Sequence, residues 1–202
     1  MASSSASDTP ARDDDGRFTS TESSGIGAIA GAAIGGVAIG VMAMIARKAI
    51  VQAPTALAGD WDVALAAEHT ATLKLFDALQ ATDEKNTTKR SVLLAQLKHA
   101  LAKHALEEEN VIYPALREAG HAVDADELNA EHGYVKQYLY ELENMPNESP
   151  EYLDKLAKFR ADIESHMRDE EDDLFPRLKS SLDEAKNKQL TMMMNKEGFK
   201  LA

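Results

Sequence analysis

Two stretches of this chain carry residues able to hold a cation. One is HALEEENVIYPALRE, starting at His104, and the other is HMRDEEDDLFPRLKS, starting at His166. Each places a carboxylate four residues after its histidine, as His104/Glu108 and His166/Glu170, and each ends in an aromatic–proline pair. Residues four apart lie on one face of a helix, so each pair presents an imidazole and a carboxylate to the same side. A shorter repeat, AEH at 67–69 and 130–132, adds His69 and His132. The separation is 35 residues from His69 to His104 and 34 from His132 to His166. A unit giving His and then His-xxx-Glu therefore occurs twice, as a repeated helical hairpin would supply it.

The elements that must position these residues are helices. Four amphipathic stretches are expected, at about 60–81, 88–118, 125–144 and 150–179, joined by short loops. Asp60 is placed as the cap of the first. Gly120 ends the second, Asp124 and Glu127 form a capping-box pattern for the third, and Ser149 with Pro150 opens the fourth. Each apolar stripe is interrupted at one level. The interruption is His69 in the first stretch, His104 and Glu108 in the second, His132 in the third, and His166 and Glu170 in the fourth. The fold class that buries all four stripes is all-α, an antiparallel up-down four-helix bundle.

Six ionisable groups then face one interior. Buried charges are tolerated when paired or when they coordinate a metal. Four imidazoles and two carboxylates suit a dinuclear centre, with two histidines for each metal and the carboxylates bridging. Cysteine is absent, so the ligand set is N and O without thiolate, which suits iron, manganese or zinc.

The double His…His-xxx-Glu pattern, followed by Glu-Glu and then Tyr-Pro or Phe-Pro, resembles the hemerythrin-like HHE cation-binding family over about residues 60–180. The resemblance implies a hemerythrin-like bundle with a non-haem di-iron centre, probed by dioxygen, nitric oxide or peroxide. Carried over position by position, it implies His69, His104, Glu108, His132, His166 and Glu170 as ligands of two Fe ions, oxo- or hydroxo-bridged. Two departures stand out. The oxygen-carrying members have a second histidine one turn after the third-helix histidine, where this chain has Lys136. Their last-helix carboxylate lies five residues after its histidine, whereas here both Glu170 and Glu171 are candidates and analogy with Glu108 favours Glu170. With one ligand fewer, a more open centre is expected.

Other polar residues are read differently. His99 is rotated off the stripe and should be exposed. Glu118-xx-His121 imitates a di-iron carboxylate motif, but Gly120 interrupts it and no second copy exists. Glu107, Glu109, Asp169, Asp172 and Asp173 are read as a solvated acidic face, with hydrogen bonding to the ligand histidines as the alternative. Tyr113 and Phe175 are read as packing residues, with a redox role as the alternative for Tyr113, and Pro114 and Pro176 as bending their helices. Trp61 should pack where the domain begins.

Outside the bundle, residues 1–24 form a Ser- and Asp-rich acidic tail, expected to be disordered. Residues 25–46, GIGAIAGAAIGGVAIGVMAMIA, are an uncharged run long enough to span a bilayer, with glycines spaced by four that suit helix pairing and a homodimer. Arg47 and Lys48 follow it, which would place the bundle in the cytoplasm beside the membrane; the alternative is a soluble cytoplasmic chain. Residues 47–59 are a linker, and 181–202 a helical or flexible tail. The net charge of −12 disfavours a nucleic-acid partner. The expected function is capture of dioxygen or nitric oxide for sensing or buffering. The alternatives are an enzyme reducing peroxide or nitric oxide, and an iron sensor or store.

Overall fold

A computed structural model describes residues 48, 52 and 55–202 of the 202-residue chain. The expected tail 1–24 and the expected span 25–46 lie outside the described residues. Among the described residues no helix is long and apolar enough to cross a membrane.

The described part is all-α. Helix α1 is Trp61–Gln80, and α2 is Thr87–Glu107. A π-helical segment, Glu108–Ile112, joins α2 without a break to α3, Tyr113–Glu118. Helix α4 is Ala122–Asn144 and α5 is Glu151–Asp169. A second π-helical segment, Glu170–Leu174, joins α5 to α6, Phe175–Ser181, and α7 is Glu184–Leu201.

Both π segments end two residues before a proline. An α-helical Pro114 would drive its ring into the carbonyl of Asn110, and Pro176 would do the same to Asp172. Widening the turn to i→i+5 bonding relieves the clash, and Tyr113 N–H donates to Glu108 O, as Phe175 N–H does to Glu170 O. The prolines therefore produce a local widening at the level of Glu108 and Glu170. Gly120, at φ +95°, takes the left-handed conformation that ends α3.

Side-chain pairs fix the helix directions. Phe76 meets Phe159 while Trp61 meets Phe175, so α1 runs against α5–α6. Lys98 pairs with Glu143 and Arg117 with Asp126, so α2–α3 runs against α4. Glu131 meets His166 and Glu141 meets Lys155, so α4 runs against α5. Two apolar clusters form the interior. One gathers Trp61, Leu65, Tyr113, Leu116, Leu128 and Phe175, and the other gathers Phe76, Leu97, Leu142, Tyr152, Phe159 and Ile163. The histidine layer lies between them in sequence along every helix.

Several expectations are corrected. Helix α4 begins at Ala122, with His121 at the cap and no side-chain cap bond, so Asp124 and Glu127 do not form a capping box. Pro150 is the cap of α5 rather than its first residue, and Ser149 Oγ accepts from Glu151 N at 3.3 Å. The segment after 181, expected to be a helical or flexible tail, is largely helical. It is a separate helix, α7, whose cap Asp183 accepts from Lys186 N at 2.8 Å. The bundle thus carries a further helix beyond the four expected. Trp61 anchors it, donating from Nε1 to Asn187 Oδ1 and from its backbone N to Thr191 Oγ1, both at 3.0 Å. Of the Met192–Met194 run only Met194 is buried.

Candidate metal centre

All six sequence-predicted site residues come together. His69, His104, Glu108, His132, His166 and Glu170 are buried, the two carboxylates completely. His69 comes from α1, His104 from α2, His132 from α4 and His166 from α5. Glu108 and Glu170 open the two π segments.

The Nε2 atoms face inward. Those of His69 and His104 lie 2.8 Å apart. Glu108 reaches one histidine of each hairpin, with Oε1 3.1 Å from His104 Nε2 and Oε2 3.4 Å from His132 Nε2. Glu170 does the same, its Oε2 lying 3.4 Å from both His69 Nε2 and His166 Nε2. Ligand-type atoms of His69, His104, Glu108 and Glu170 all fall within 4.8 Å of one another, as do those of Glu108, His132 and His166. Glu170 and Glu171 take different parts. Glu171 is 40% exposed and accepts from the outer nitrogen of His69.

Every outer nitrogen is held by a carboxylate. His69 Nδ1 is 2.6 Å from Glu171 Oε1, and His104 Nδ1 is 3.1 Å from Glu68 Oε2. His132 Nδ1 is 3.0 Å from Glu109 Oε1, and His166 Nδ1 is 2.7 Å from Glu131 Oε2. The arrangement repeats with the hairpins. The glutamate before the first histidine of each hairpin (Glu68, Glu131) grips the second histidine of the same hairpin. The glutamate after each buried carboxylate (Glu109, Glu171) grips the first histidine of the other hairpin. A carboxylate accepts only, so in the neutral rings Nδ1 carries the proton and Nε2 a lone pair.

Four inward lone pairs beside two buried carboxylates are mutually repulsive. Burial and neighbouring His104 push the pKa of His69 down, but bonds to Glu170 and Glu171 outweigh them and hold it above the usual histidine range. Burial likewise opposes protonation of His104 and His132, yet Glu108, with Glu68 and Glu109 respectively, raises both. Burial would raise Glu108, but His104 and His132 hold it well below the usual carboxylate range. Even so, Glu108 Oε1, Glu170 Oε2 and His166 Nε2 are buried with imidazole–carboxylate contacts of 3.1–3.4 Å but no well-formed hydrogen bond. These are donor atoms suited to a cation, and a cation among them would relieve both the repulsion and the missing bonds.

Tyr113 is a site residue that the sequence reading took for packing. Its ring is fully buried, and its hydroxyl donates to Glu170 Oε1 at 2.8 Å, 3.4 Å from Glu108 Oε2 and 3.1 Å from His132 Nε2. Burial and the two carboxylates push its pKa well above the ordinary phenol value, so it stays a donor. The sequence signal was the comparison of repeats: Tyr113 stands where the second copy has Phe175, and only the hydroxyl differs. Phe175 backs the other hairpin, stacked 6.3 Å from His69.

The acidic face divides. Glu109 reaches His132, and Glu107 is fully buried rather than solvated. Lys103 Nζ donates to Glu107 Oε1 at 2.9 Å and also pairs with Glu68. Burial and the Glu68 carboxylate raise Glu107 to about 8, whereas His104 and Lys103 overcome burial to keep Glu68 ionised. Asp169, Asp172 and Asp173 are exposed, as is His99. His121 lies 3.4 Å from Asp124 on the surface side, so Glu118-xx-His121 forms no second centre.

Comparison with known proteins agrees with this geometry. The family described as Hemerythrin HHE cation binding domain matches residues 62–178. A crystal structure of a hemerythrin HHE cation binding domain-containing protein from Mycobacterium kansasii superposes with a TM-score of 0.61 at 25% identity, covering 71% of this chain and 87% of that one. An uncharacterized protein of Mycobacterium tuberculosis is 33% identical over 91 residues, covering 45% of this chain and 55% of its own. A protein named DNA nickase from Nostoc is 28% identical over 115 residues, covering 57% of this chain. The match spans about half of the mycobacterial relative and 32% of the Nostoc one.

Proposed function

This chain belongs to the hemerythrin HHE cation-binding domain family, and we propose that it is a non-haem di-iron protein that captures dioxygen or nitric oxide for sensing or buffering. The observation that carries the reading is the set of buried donor atoms without a well-formed hydrogen bond, Glu108 Oε1, Glu170 Oε2 and His166 Nε2, in a ring of inward Nε2 atoms. His69 and His104 would hold one iron, His132 and His166 the other, and Glu108 and Glu170 would span both.

Formal charge supports two divalent ions. Six carboxylates surround the histidines: Glu108 and Glu170 within, and Glu68, Glu109, Glu131 and Glu171 outside. Lys103 offsets Glu68, and Lys136 offsets Glu109. Four negative charges remain, matching two divalent cations. Iron, when bound, supplies a one-electron redox change and coordination positions for a small ligand. The chain's part is to orient each imidazole through its outer carboxylate, to hold the lone pairs inward, to keep bulk water out with two apolar clusters, and to hold a proton on the Tyr113 oxygen beside Glu170.

Reduction of peroxide or nitric oxide at the same centre is the second reading, favoured by Tyr113, whose hydroxyl donates at the inner carboxylate Glu170. Nicking of DNA, named for the Nostoc relative, is not part of this reading. The chain's net charge is −12 and the match covers 32% of that protein. Anchoring through residues 25–46 belongs to the proposal and rests on their composition. Recovery of the full chain in the soluble fraction after lysis would remove it.

The test is metal analysis and an optical spectrum of the purified full chain, oxidised and then reduced and exposed to dioxygen. Two irons per chain and bands that change with dioxygen are expected. Zinc, or a single ion, would overturn the di-iron reading.

A further inference from the structure

The seam between α2 and α4 holds a groove of about 270 Å³ whose walls include Leu101, Ala102 and Ala105 from α2 and Val135 and Leu139 from α4. Behind it lies a small enclosed space of about 10 Å³ bounded by His104, His132 and His166. Leu101, Ala105, His132 and Val135 line both, so the groove reaches the edge of the histidine layer at His132, and a collar of Leu101, Ala105 and Val135 stands before the inner space. The inner space is about the size of one water molecule, and apart from the imidazoles its walls are apolar.

The sequence explains why the seam is open here. Ala102 and Ala105 each contribute a single methyl group where a leucine would fill the gap. Lys136, the residue standing where the oxygen-carrying relatives have a further histidine, does not point at the centre. It is 67% exposed, with Nζ drawn aside to Glu109 at 3.1 Å. The charges at the mouth are compensated in pairs: Lys136 with Glu109, and Lys98 with Glu143 at 2.8 Å. An anion gains no net attraction there, and any ion would lose its hydration in the apolar collar.

We propose that the α2–α4 seam is a route by which a small neutral molecule reaches the histidine cluster, and that Ala105 sets its bore. The proposal deepens the di-iron reading and rests on it for its purpose, though not for its geometry. Dioxygen, nitric oxide and hydrogen peroxide are small and uncharged, as the apolar collar requires. Superoxide and nitrite are rejected by charge, and organic peroxides by size.

Xenon tests the route without any metal chemistry. In crystals of the full chain pressurised with xenon, an atom is expected against Leu101, Ala105 and Val135, and it should vanish in Ala105→Leu. No xenon in the wild-type seam would overturn the proposal. The second measurement is stopped-flow mixing of the iron-loaded, reduced chain with nitric oxide. The association rate should fall about tenfold or more in Ala105→Leu at unchanged iron content. An unchanged rate would overturn the route. Val135→Phe narrows the same collar from the opposite helix and replaces Ala105→Leu should that variant not fold. If the loaded wild type does not react with nitric oxide at all, the functional reading fails while the xenon result still decides the route.

Discussion

The hydroxyl of Tyr113 donates to Glu170 across 57 residues of sequence, tying the first π segment's end to the start of the second. A hydrogen bond to a buried carboxylate is worth about 1.5–3 kcal/mol, so Tyr113→Phe should lower the stability of the metal-free chain by that order. Chemical denaturation in the presence of a chelator measures it. Phe175→Tyr, on the stacking side of His69, should give no such gain.

Inner and outer carboxylates should separate in a metal titration. Glu108→Ala and Glu170→Ala, like His104→Ala and His166→Ala, are expected to abolish tight binding at one or both positions. Glu131→Ala and Glu171→Ala release an imidazole from its outer partner and should weaken binding about 10–100-fold, and Glu68→Ala, which also frees Lys103, should weaken it at least as much. His99→Ala should change nothing. If Glu171→Ala lost metal as completely as Glu170→Ala, the assignment of Glu170 to the inner role would be wrong.

Acidity should act in opposite directions on the empty and the loaded chain. His69, His104 and His132 are held above the ordinary value of 6.5, after burial is outweighed by their carboxylates. The stability they contribute to the metal-free chain is complete below 6.5 and is lost as pH rises through their raised folded values. Glu108, held below 4.5 by His104 and His132 despite burial, contributes above 4.5 and loses its contribution as pH falls through its own lower value. Metal-free stability should therefore be greatest in mild acid and decline on the alkaline side, read as the urea midpoint across pH. Metal must displace the histidine protons, so affinity should rise with pH over the same range, with proton release visible by calorimetry.

Gly198 is the place where α7 comes closest to the bundle. A Cβ there would lie 1.7 Å from Glu107 Oε1 and 2.7 Å from Gln52 Oε1. Gln52 Nε2 and Lys103 Nζ donate to Glu107 Oε1 at 3.2 and 2.9 Å, so that oxygen cannot move without breaking buried bonds. Gly198→Ala should destabilise by about 1–3 kcal/mol and lower the thermal midpoint. An unchanged midpoint would show that α7 is not seated on Glu107.

Much of this was legible in order. Helical periodicity and the two His-xxx-Glu pairs place the six site residues at one level of four helices because a 3.6-residue period is a local property. Glu107 and Glu109 were not separable from the exposed aspartates, because burial depends on which helix covers a face. Helix α7 covers Glu107, and nothing in the residues around Glu107 announces α7. Tyr113 was legible only as a difference between repeats, since a phenol can face a core or a carboxylate with the same local sequence.

The chain by itself determined the helices, the repeat and the identity of the inward ligand-type residues, because these follow from spacing along a single helix. The tertiary structure decided the rest. It set Glu170 inward and Glu171 outward, paired each imidazole with a carboxylate from another helix, and left the seam at Ala105 open. Those outcomes depend on how helices rotate and approach one another, and that is settled by packing between segments far apart in sequence.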